Sequence, residues 1–468
     1  MNEQRIEVVD ITQETPKIPV FKPESKIYIR SIEGKFESIR KSTGLIFLAI
    51  FLILPWIRYS GSQAVLLDFT AQRFHLFGLT LWPQDLTILA WIFIISAFAL
   101  FFITTLRGRV WCGFMCPQTV FTFLFVAIEE FVEGSKNKRI HLDKQSVSTN
   151  KVVKKTIKHG LWLFVSLVTA ITFVGYFVPI KSLVIDIVTF DLTLWPFIYV
   201  LLFTACTYGN AGWMREVMCI HMCPYSRFQS SMFDNNTVTV TYDNQRGDKR
   251  GPRSKKLTQE QRQKKGLGDC IDCNLCVDVC PTGIDIRNGL QYECIDCGAC
   301  VDACNNVMTN MGYEKNLISF TSANALQGKK TVKLRPSVVG YLVVLVIMLA
   351  ALTLDIYTRK PLGVEIIRDR TTLYREATNG NIENVYTLVI MNKSQHRQVV
   401  NINVHGLNYA KINGTTNVAI DGAKMIRHPI SVEVDQQHLD KTVNPIVISV
   451  TNQKGELISQ DTTFISNL

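Results

Sequence analysis

Cysteine is missing from the last third of this 468-residue chain: all 13 cysteines fall between Cys112 and Cys304. The C-terminal region is therefore no disulfide scaffold and needs a packed core of its own. The sequence also lacks C-x-x-C-H, which argues against covalent c-type haem, and lacks G-x-G-x-x-G and G-x-x-x-x-G-K-[ST], which removes the simplest built-in nucleotide cofactors. Acidic residues are the scarcer charge, 39 against 50 Lys+Arg. No cleavable signal peptide is evident, because the first apolar run follows about forty mostly polar residues and has no small-residue cleavage site.

What is present is apolar. Hydrophobic residues make up 47% of this basic chain, which predicts apolar spans joined by basic loops. Five stretches are candidates: about 43–58, 86–106, 159–179, 194–208 and 337–355. A bilayer core needs roughly 17–25 apolar residues per helix. The first and fourth stretches are short, but Trp56, Trp195 and Tyr208 sit where interfacial anchors belong. Basic residues alternate across these spans. Lys17, Lys22, Lys26, Arg30, Lys35, Arg40 and Lys41 precede the first, and Arg107 to Lys158 fill the loop after the second. The segment 209–336 is also dense in Lys and Arg, whereas the loops between carry few. The positive-inside rule then places 1–42, 107–158 and 209–336 inside and the C-terminal segment outside.

The domain organisation expected is a tail at 1–42, a four-span membrane domain at 43–208, a linker at 209–265, a ferredoxin-like domain at 266–312, a second linker at 313–336, a fifth span at 337–355 and an exterior domain at 356–468. In the exterior segment, runs such as NVYTLVIMN, QVVNINVHG and PIVISVTN alternate or cluster β-branched residues between turn signals. Roughly seven such runs suit an all-β, immunoglobulin-like sandwich, with another small barrel as the alternative. The fold class expected is thus a multi-domain integral membrane protein with an α-helical membrane part.

Cys270 to Pro281 reads C-x2-C-x2-C-x3-C-P, and Cys294 to Cys304 repeats the cysteine spacing. That is the bacterial ferredoxin pattern for two 4Fe-4S clusters, in which the fourth cysteine of each run serves the other cluster. The expected sets are Cys270, Cys273, Cys276 with Cys304, and Cys294, Cys297, Cys300 with Cys280. Zinc also uses C-x2-C units but does not account for the third cysteine of each run. Asn305 stands where the pattern has its second proline.

Two further motifs, Cys112-Gly-Phe-Met-Cys116-Pro117 and Cys219-Ile-His-Met-Cys223-Pro224, both read C-x-x-M-C-P, and each follows a pair of spans, so a two-helix unit is duplicated. Residues four apart share a helix face, so each pair could present two thiolates. Met115, Met222 and Met218 add thioethers and His221 an imidazole. Soft sulfur selects Cu(I), which makes these residues a candidate copper or redox dithiol site; packing residues are the bland alternative. Cys206 reads as a buried core thiol. Glu129 and Glu130 read as a solvated helix end or part of a re-entrant or interfacial helix. The basic run 246–265 reads as a lipid-facing stretch rather than a nucleic-acid site. His75 reads as an exposed, unpaired residue of the outer loop.

With these motifs in place, the chain resembles the CcoG family, also called FixG or RdxA, the accessory proteins of cbb-type cytochrome c oxidase. Quinol dehydrogenases of the polyferredoxin type are similar through the cysteine motifs but typically lack the exterior domain. The resemblance implies a protein of the bacterial inner membrane with its ferredoxin domain cytoplasmic and its sandwich periplasmic. It implies cupric reductase activity, with copper delivered to the oxidase through assembly factors or a copper chaperone or transporter. The electron donor is another protein or a membrane quinol. A quinol dehydrogenase feeding a terminal reductase and a non-enzymatic assembly scaffold remain the competing readings.

Overall fold

The computed structural model describes residues 26–59, 61–253, 255, 265–332, 334–369, 371–377, 379–439 and 441–466. Most of the expected tail, and residues 254 and 256–264 of the basic run, lie outside the described residues.

The helices long and apolar enough to cross a membrane are Lys35–Trp56, Leu86–Arg107, Val110–Glu133, Thr149–Val174 and Pro336–Thr358, with Ile180–Thr189 and Leu194–Met222 forming one more candidate bent by 94°. Local chemistry sets their ends. Pro55 closes the first in a 3-10 turn, Ser148 caps Thr149–Val174 by accepting the Lys151 N–H at 3.3 Å, and Pro336 occupies the first turn of the last.

The membrane boundaries therefore differ from expectation. The first and third spans begin at Lys35 and Thr149, earlier than 43 and 159, because their first two turns carry basic residues that pair with carboxylates there. Lys41 reaches Glu37 at 3.2 Å, and Lys155 reaches Glu133 at 2.9 Å. The stretch 194–208 is the descending arm of the bent pair rather than a lone short span.

Val110–Glu133 holds the stretch read as a solvated helix end or as part of a re-entrant or interfacial helix. It has the length and hydropathy of a span, yet both its ends lie on the ferredoxin side. At one end the Arg109 N–H donates to Asp296 of the ferredoxin domain at 2.8 Å. At the other, Glu129 pairs with Lys26 at 3.2 Å and Glu130 accepts from the Ser31 hydroxyl at 2.5 Å. Between them, Pro117 lies at the level of Phe47 and Leu48, Val120 packs on Gly44, and Arg40 covers the Phe123 ring. From Pro117 to Phe123 the segment runs antiparallel to the first span. Alternation of the remaining spans is preserved.

On the opposite side the last span delivers the chain to the β domain. Leu86–Arg107 and Pro336–Thr358 run antiparallel, with Arg335 beside Thr105 and Asp234 at one end and Arg359 beside Asp85 at the other. The domain is a sandwich of two antiparallel sheets. One has five strands, Lys411–Asn413, Met425–Val434, Ile382–Asn392, Leu362–Arg368 and Arg375–Glu376; the other has four, Asn417–Ile420, Gln398–His405, Val443–Asn452 and Leu457–Ile465. Tyr386, Leu388, Ile390, Val400, Ile402, Val432, Ile448, Val450 and Phe464 fill the space between the sheets. The strands beyond the seven expected include two very short ones, which alternation cannot reveal.

The loop 58–81 is itself folded into small antiparallel sheets that dock on this sandwich. Trp82 is buried against Val389 and Met391, Asp85 pairs with Arg359 and Lys393 at 2.6 Å each, and Gln395 donates to the Gly78 carbonyl at 3.0 Å. His75 is accordingly half-buried and lies 3.2 Å from the Thr80 hydroxyl, so it is neither exposed nor unpaired. Cys206 is exposed on the outside of its helix, contrary to the core position expected.

Candidate functional site

The two ferredoxin runs fold alike. Asp272 and Asn274 in the first have φ of 55° and 56°, and Asp296 and Gly298 in the second have 52° and 73°. Left-handed residues at alternate positions curl each loop around its thiols, and Asp, Asn and Gly are the residue types that tolerate this. Position 298 further requires glycine, because a Cβ there would stand 2.8 Å from the Phe36 ring. Each curl leads into a helix, Leu275–Asp278 or Ala299–Met311. A two-stranded sheet, Thr239–Tyr242 against Ile318–Thr321, backs them.

Two hollows result. Cys270, Cys273, Cys276 and Cys304 line one, and Cys280, Cys294, Cys297 and Cys300 line the other, with Cys276 also at its wall. The structure thus gathers the thiols in the crossed sets expected from spacing. Asn305 lets the helix Ala299–Met311 run on, and its side-chain oxygen accepts the Asn316 N–H at 2.7 Å.

The donor chemistry fits a 4Fe-4S group in each hollow. Burial pushes the Cys276 and Cys304 thiols up to about 12 and the Cys294 and Cys300 thiols well above their ordinary value, so the deprotonated ligand form calls for metal charge. The third cysteine of each run, which zinc does not use, lies at the same hollow as the first two. Cationic side chains stand around both hollows. Arg287 lines the first and is held by Asp285 at 2.7 Å and Asp272 at 2.6 Å. Arg40 donates to the Cys297 carbonyl at 3.3 Å beside the second.

The two C-x-x-M-C-P motifs meet beneath the second hollow. Cys112 packs in the apolar cluster of Val279, Ile295, Cys297 and Ala299. Its thiol donates to Gln229 Oε1 at 3.3 Å, and Gln229 lies on the helix Pro224–Ser231 that follows Cys223. Gln118, two residues after Cys116, donates to the carbonyls of Asn210 and Arg215 at 3.0 and 3.3 Å. Cys112, Cys116, Cys219 and Cys223 all lie within electrostatic reach of one another. Of the other expected ligands, Met115 lines an apolar chamber between the helices, while His221 and Met222 are exposed.

Several residues that hold this site were not singled out as its parts. Arg109, buried, gives its N–H to Asp296 and its guanidinium to the carbonyls of Ser226 and Tyr292, tying both motifs to the ferredoxin domain. Glu129 is no solvated helix end: it is fully buried and pairs with Arg215 at 2.9 Å, Lys26 and Arg139 at 3.2 Å, and Lys158 at 3.5 Å. Arg215 is held in turn by the Gly212 carbonyl at 2.9 Å, so this carboxylate anchors the approach to the second motif. The one sequence signal was a carboxylate in an apolar stretch, FTFLFVAIEEFVEG.

Comparison with known proteins agrees with this division. A 4Fe-4S dicluster domain model matches residues 214–323, a 4Fe-4S binding domain model matches residues 89–127, and the model of the immunoglobulin-like fold at the C terminus of FixG, which is described as an oxidoreductase, matches residues 352–467. The nitrogen fixation protein FixG of Rhizobium meliloti is 31% identical over 95% of this chain and 90% of its own length. Protein RdxA of Cereibacter sphaeroides is 36% identical over 80% of this chain and 81% of its own, and protein RdxB of the same organism 33% identical over 84% of each. The crystal structure of a FixG-related protein from Vibrio parahaemolyticus is 30% identical, with a TM-score of 0.22, and covers 24% of this chain and all of its own. A membrane-helical part, 4Fe-4S binding domains and an immunoglobulin-like C-terminal domain in one chain, together with relatives alike over most of their length, place it plainly: the chain belongs to the FixG/RdxA/RdxB family of iron-sulfur proteins.

Proposed function

We propose that this protein is a cupric reductase of the cytoplasmic membrane, taking Cu(II) to Cu(I) for copper-centre assembly of a cbb-type oxidase. The observation that carries the reading is the apposition of the paired C-x-x-M-C-P motifs to the second ferredoxin hollow through Cys112 and Cys297. The 4Fe-4S groups, held by Cys270, Cys273, Cys276 and Cys304 and by Cys280, Cys294, Cys297 and Cys300, would supply one-electron transfer. Cu(II) gains one electron on becoming Cu(I), with no bond made or broken.

The chain's own residues favour that change. Thiolates and thioethers bind Cu(I) better than Cu(II), so Cys219, Cys223 and the exposed Met222 stabilise the product more than the substrate, while the exposed His221 suits either state. Cys112, Cys116 and Met115 extend the sulfur set inward. The ferredoxin face is the cytoplasmic one in this reading, because Lys and Arg concentrate on it and its free thiols need a reducing compartment. Partners that accept Cu(I) are then copper chaperones or transporters and oxidase assembly factors.

The test is direct. Anaerobic protein is reduced, mixed with Cu(II), and followed with a Cu(I)-specific chelator. Chelator colour is expected from the intact protein, and colour no greater than that of a Cys270→Ser control ends the proposal. A second reading, a quinol dehydrogenase, is favoured by the apolar chamber lined by Phe47, Phe51, Met115, Phe121, Phe173 and Phe203. Cluster reduction by added quinol without copper turnover would select it.

A further inference from the structure

The four thiols where the two C-x-x-M-C-P motifs meet resemble the ferredoxin thiols in how they are spaced. All six pairs among Cys112, Cys116, Cys219 and Cys223 are within electrostatic reach, yet none is joined in a disulfide. No three of them come close enough to ligate a single ion. A lone copper or zinc needs its sulfurs about 2.3 Å from one point. Four mutually near thiols, no three of which reach one point, are spaced as the eight ferredoxin cysteines are.

Their setting is built for anionic sulfur. Cys116 and Cys223 both occupy the cap position of a helix beginning Cys-Pro, with extended backbone at φ −61°, ψ 128° and φ −77°, ψ 111°. The Gln118 and Thr119 N–H groups, free in the first turn, face the Cys116 sulfur. Thr119 is buried, at 4% relative exposure, and its hydroxyl lies against the same Cys116 sulfur. Arg109 lies near enough to Cys112 and Cys219 to act on both electrostatically. The matched 4Fe-4S model at 89–127 contains Cys112 and Cys116 alone, and the dicluster model at 214–323 holds Cys219 and Cys223 in addition to its eight ferredoxin cysteines. Each motif supplies half of a four-thiolate set, and tertiary folding completes it.

We infer that Cys112, Cys116, Cys219 and Cys223 together hold a third iron-sulfur cluster, set in the membrane edge beneath the second ferredoxin hollow. This goes beyond the copper reading and limits it. The thiols belong to a resident cluster, and Cu(II) lands on the exposed His221 and Met222 beside it.

The test is the iron and acid-labile sulfide content of the anaerobically purified full-length protein, with low-temperature EPR after reduction. Two ferredoxin clusters account for about eight irons per chain; a third raises the content to about ten or twelve, for a two-iron or four-iron centre. Cys116→Ser and Cys223→Ser should each return it to about eight and remove one EPR component while leaving the two ferredoxin signals, which report that the chain is folded. Cys206→Ser, at an exposed cysteine outside the site, should change nothing. Eight irons in the unaltered protein, or iron unchanged in both Cys116 and Cys223 variants, overturns the inference. Copper bound at one per chain and lost in those variants, with iron steady at eight, does so in favour of a copper site. Excess iron without cupric reductase activity leaves the cluster standing and removes the copper proposal.

Discussion

The backbone N–H of Arg109 donates to the side chain of Asp296 at 2.8 Å, across 187 positions of sequence, and the Val240 N–H donates to the other oxygen of the same carboxylate at 2.9 Å. Asp296 lies between Cys294 and Cys297, and Arg109 is three residues before Cys112. One buried carboxylate thereby joins a cluster-binding loop to the first membrane-edge motif. Asp296→Ala leaves two buried N–H groups without acceptors, a loss of roughly 1–3 kcal/mol. On the proposed copper reading, the expected outcome is a protein that keeps its iron but reduces Cu(II) more slowly, read by parallel iron analysis and chelator assay.

Gly113 makes the same contact by close packing. A Cβ at this position would stand 2.8 Å from Cys297 Cα and from the carbonyl oxygens of Ile295 and Asp296. These are backbone atoms and cannot rotate away. Gly113→Val should push the motif off the ferredoxin domain and lower Cu(II) reduction more than Gly160→Val, where no atom lies within 4 Å of the added carbon. Both variants would be compared at equal iron content.

Glu129 faces four cations in a buried site. Removing it leaves Arg139 and Arg215 without a carboxylate, while Lys158 keeps Glu133 at 3.0 Å, and breaking a buried pair in this way costs roughly 3–5 kcal/mol. Glu129→Ala should lower thermal stability and steady-state abundance in membranes. Glu376→Ala, at an exposed strand residue of the sandwich, should do neither. Melting in detergent and quantitative blotting measure the two effects.

The crossed cysteine sets predict paired losses. Cys304→Ser should destroy the cluster that Cys270, Cys273 and Cys276 hold, and Cys280→Ser the one that Cys294, Cys297 and Cys300 hold. Each variant should lose about four irons and a different EPR component. If both removed the same component, the crossed assignment would be wrong.

In the sandwich, Asn379, Asn413 and Asn381 donate to Glu433 at 2.6, 2.7 and 2.7 Å and hold its carboxyl down to about 2. A lowered carboxylate contributes stability that is present above its ordinary value near 4.5 and is lost as the pH falls through the folded value. The window is therefore about pH 4.5 down to 2. Glu433→Gln should lower the domain's melting temperature at pH 7 and reduce its further loss on acidification, as followed by limited proteolysis of the full-length protein across the pH range.

Much of this molecule was determined by the sequence alone. The four-by-four grouping of the ferredoxin thiols follows from residues two and three positions apart, and the sandwich follows from alternation along Ile382–Asn392 and Val443–Asn452, because both signals are local. The Cys-Pro helix starts were legible for the same reason. Tertiary structure decided that both ends of Val110–Glu133 lie on the ferredoxin side, because its hydropathy is that of a span and only the Arg109–Asp296 and Ser31–Glu130 contacts reveal its two ends. It alone decided that Glu129 is buried among cations drawn from four separate segments. The meeting of Cys112 and Cys116 with Cys219 and Cys223, about a hundred residues away, is of the same kind. A repeated motif says that two sites are alike, and only packing says that they are one.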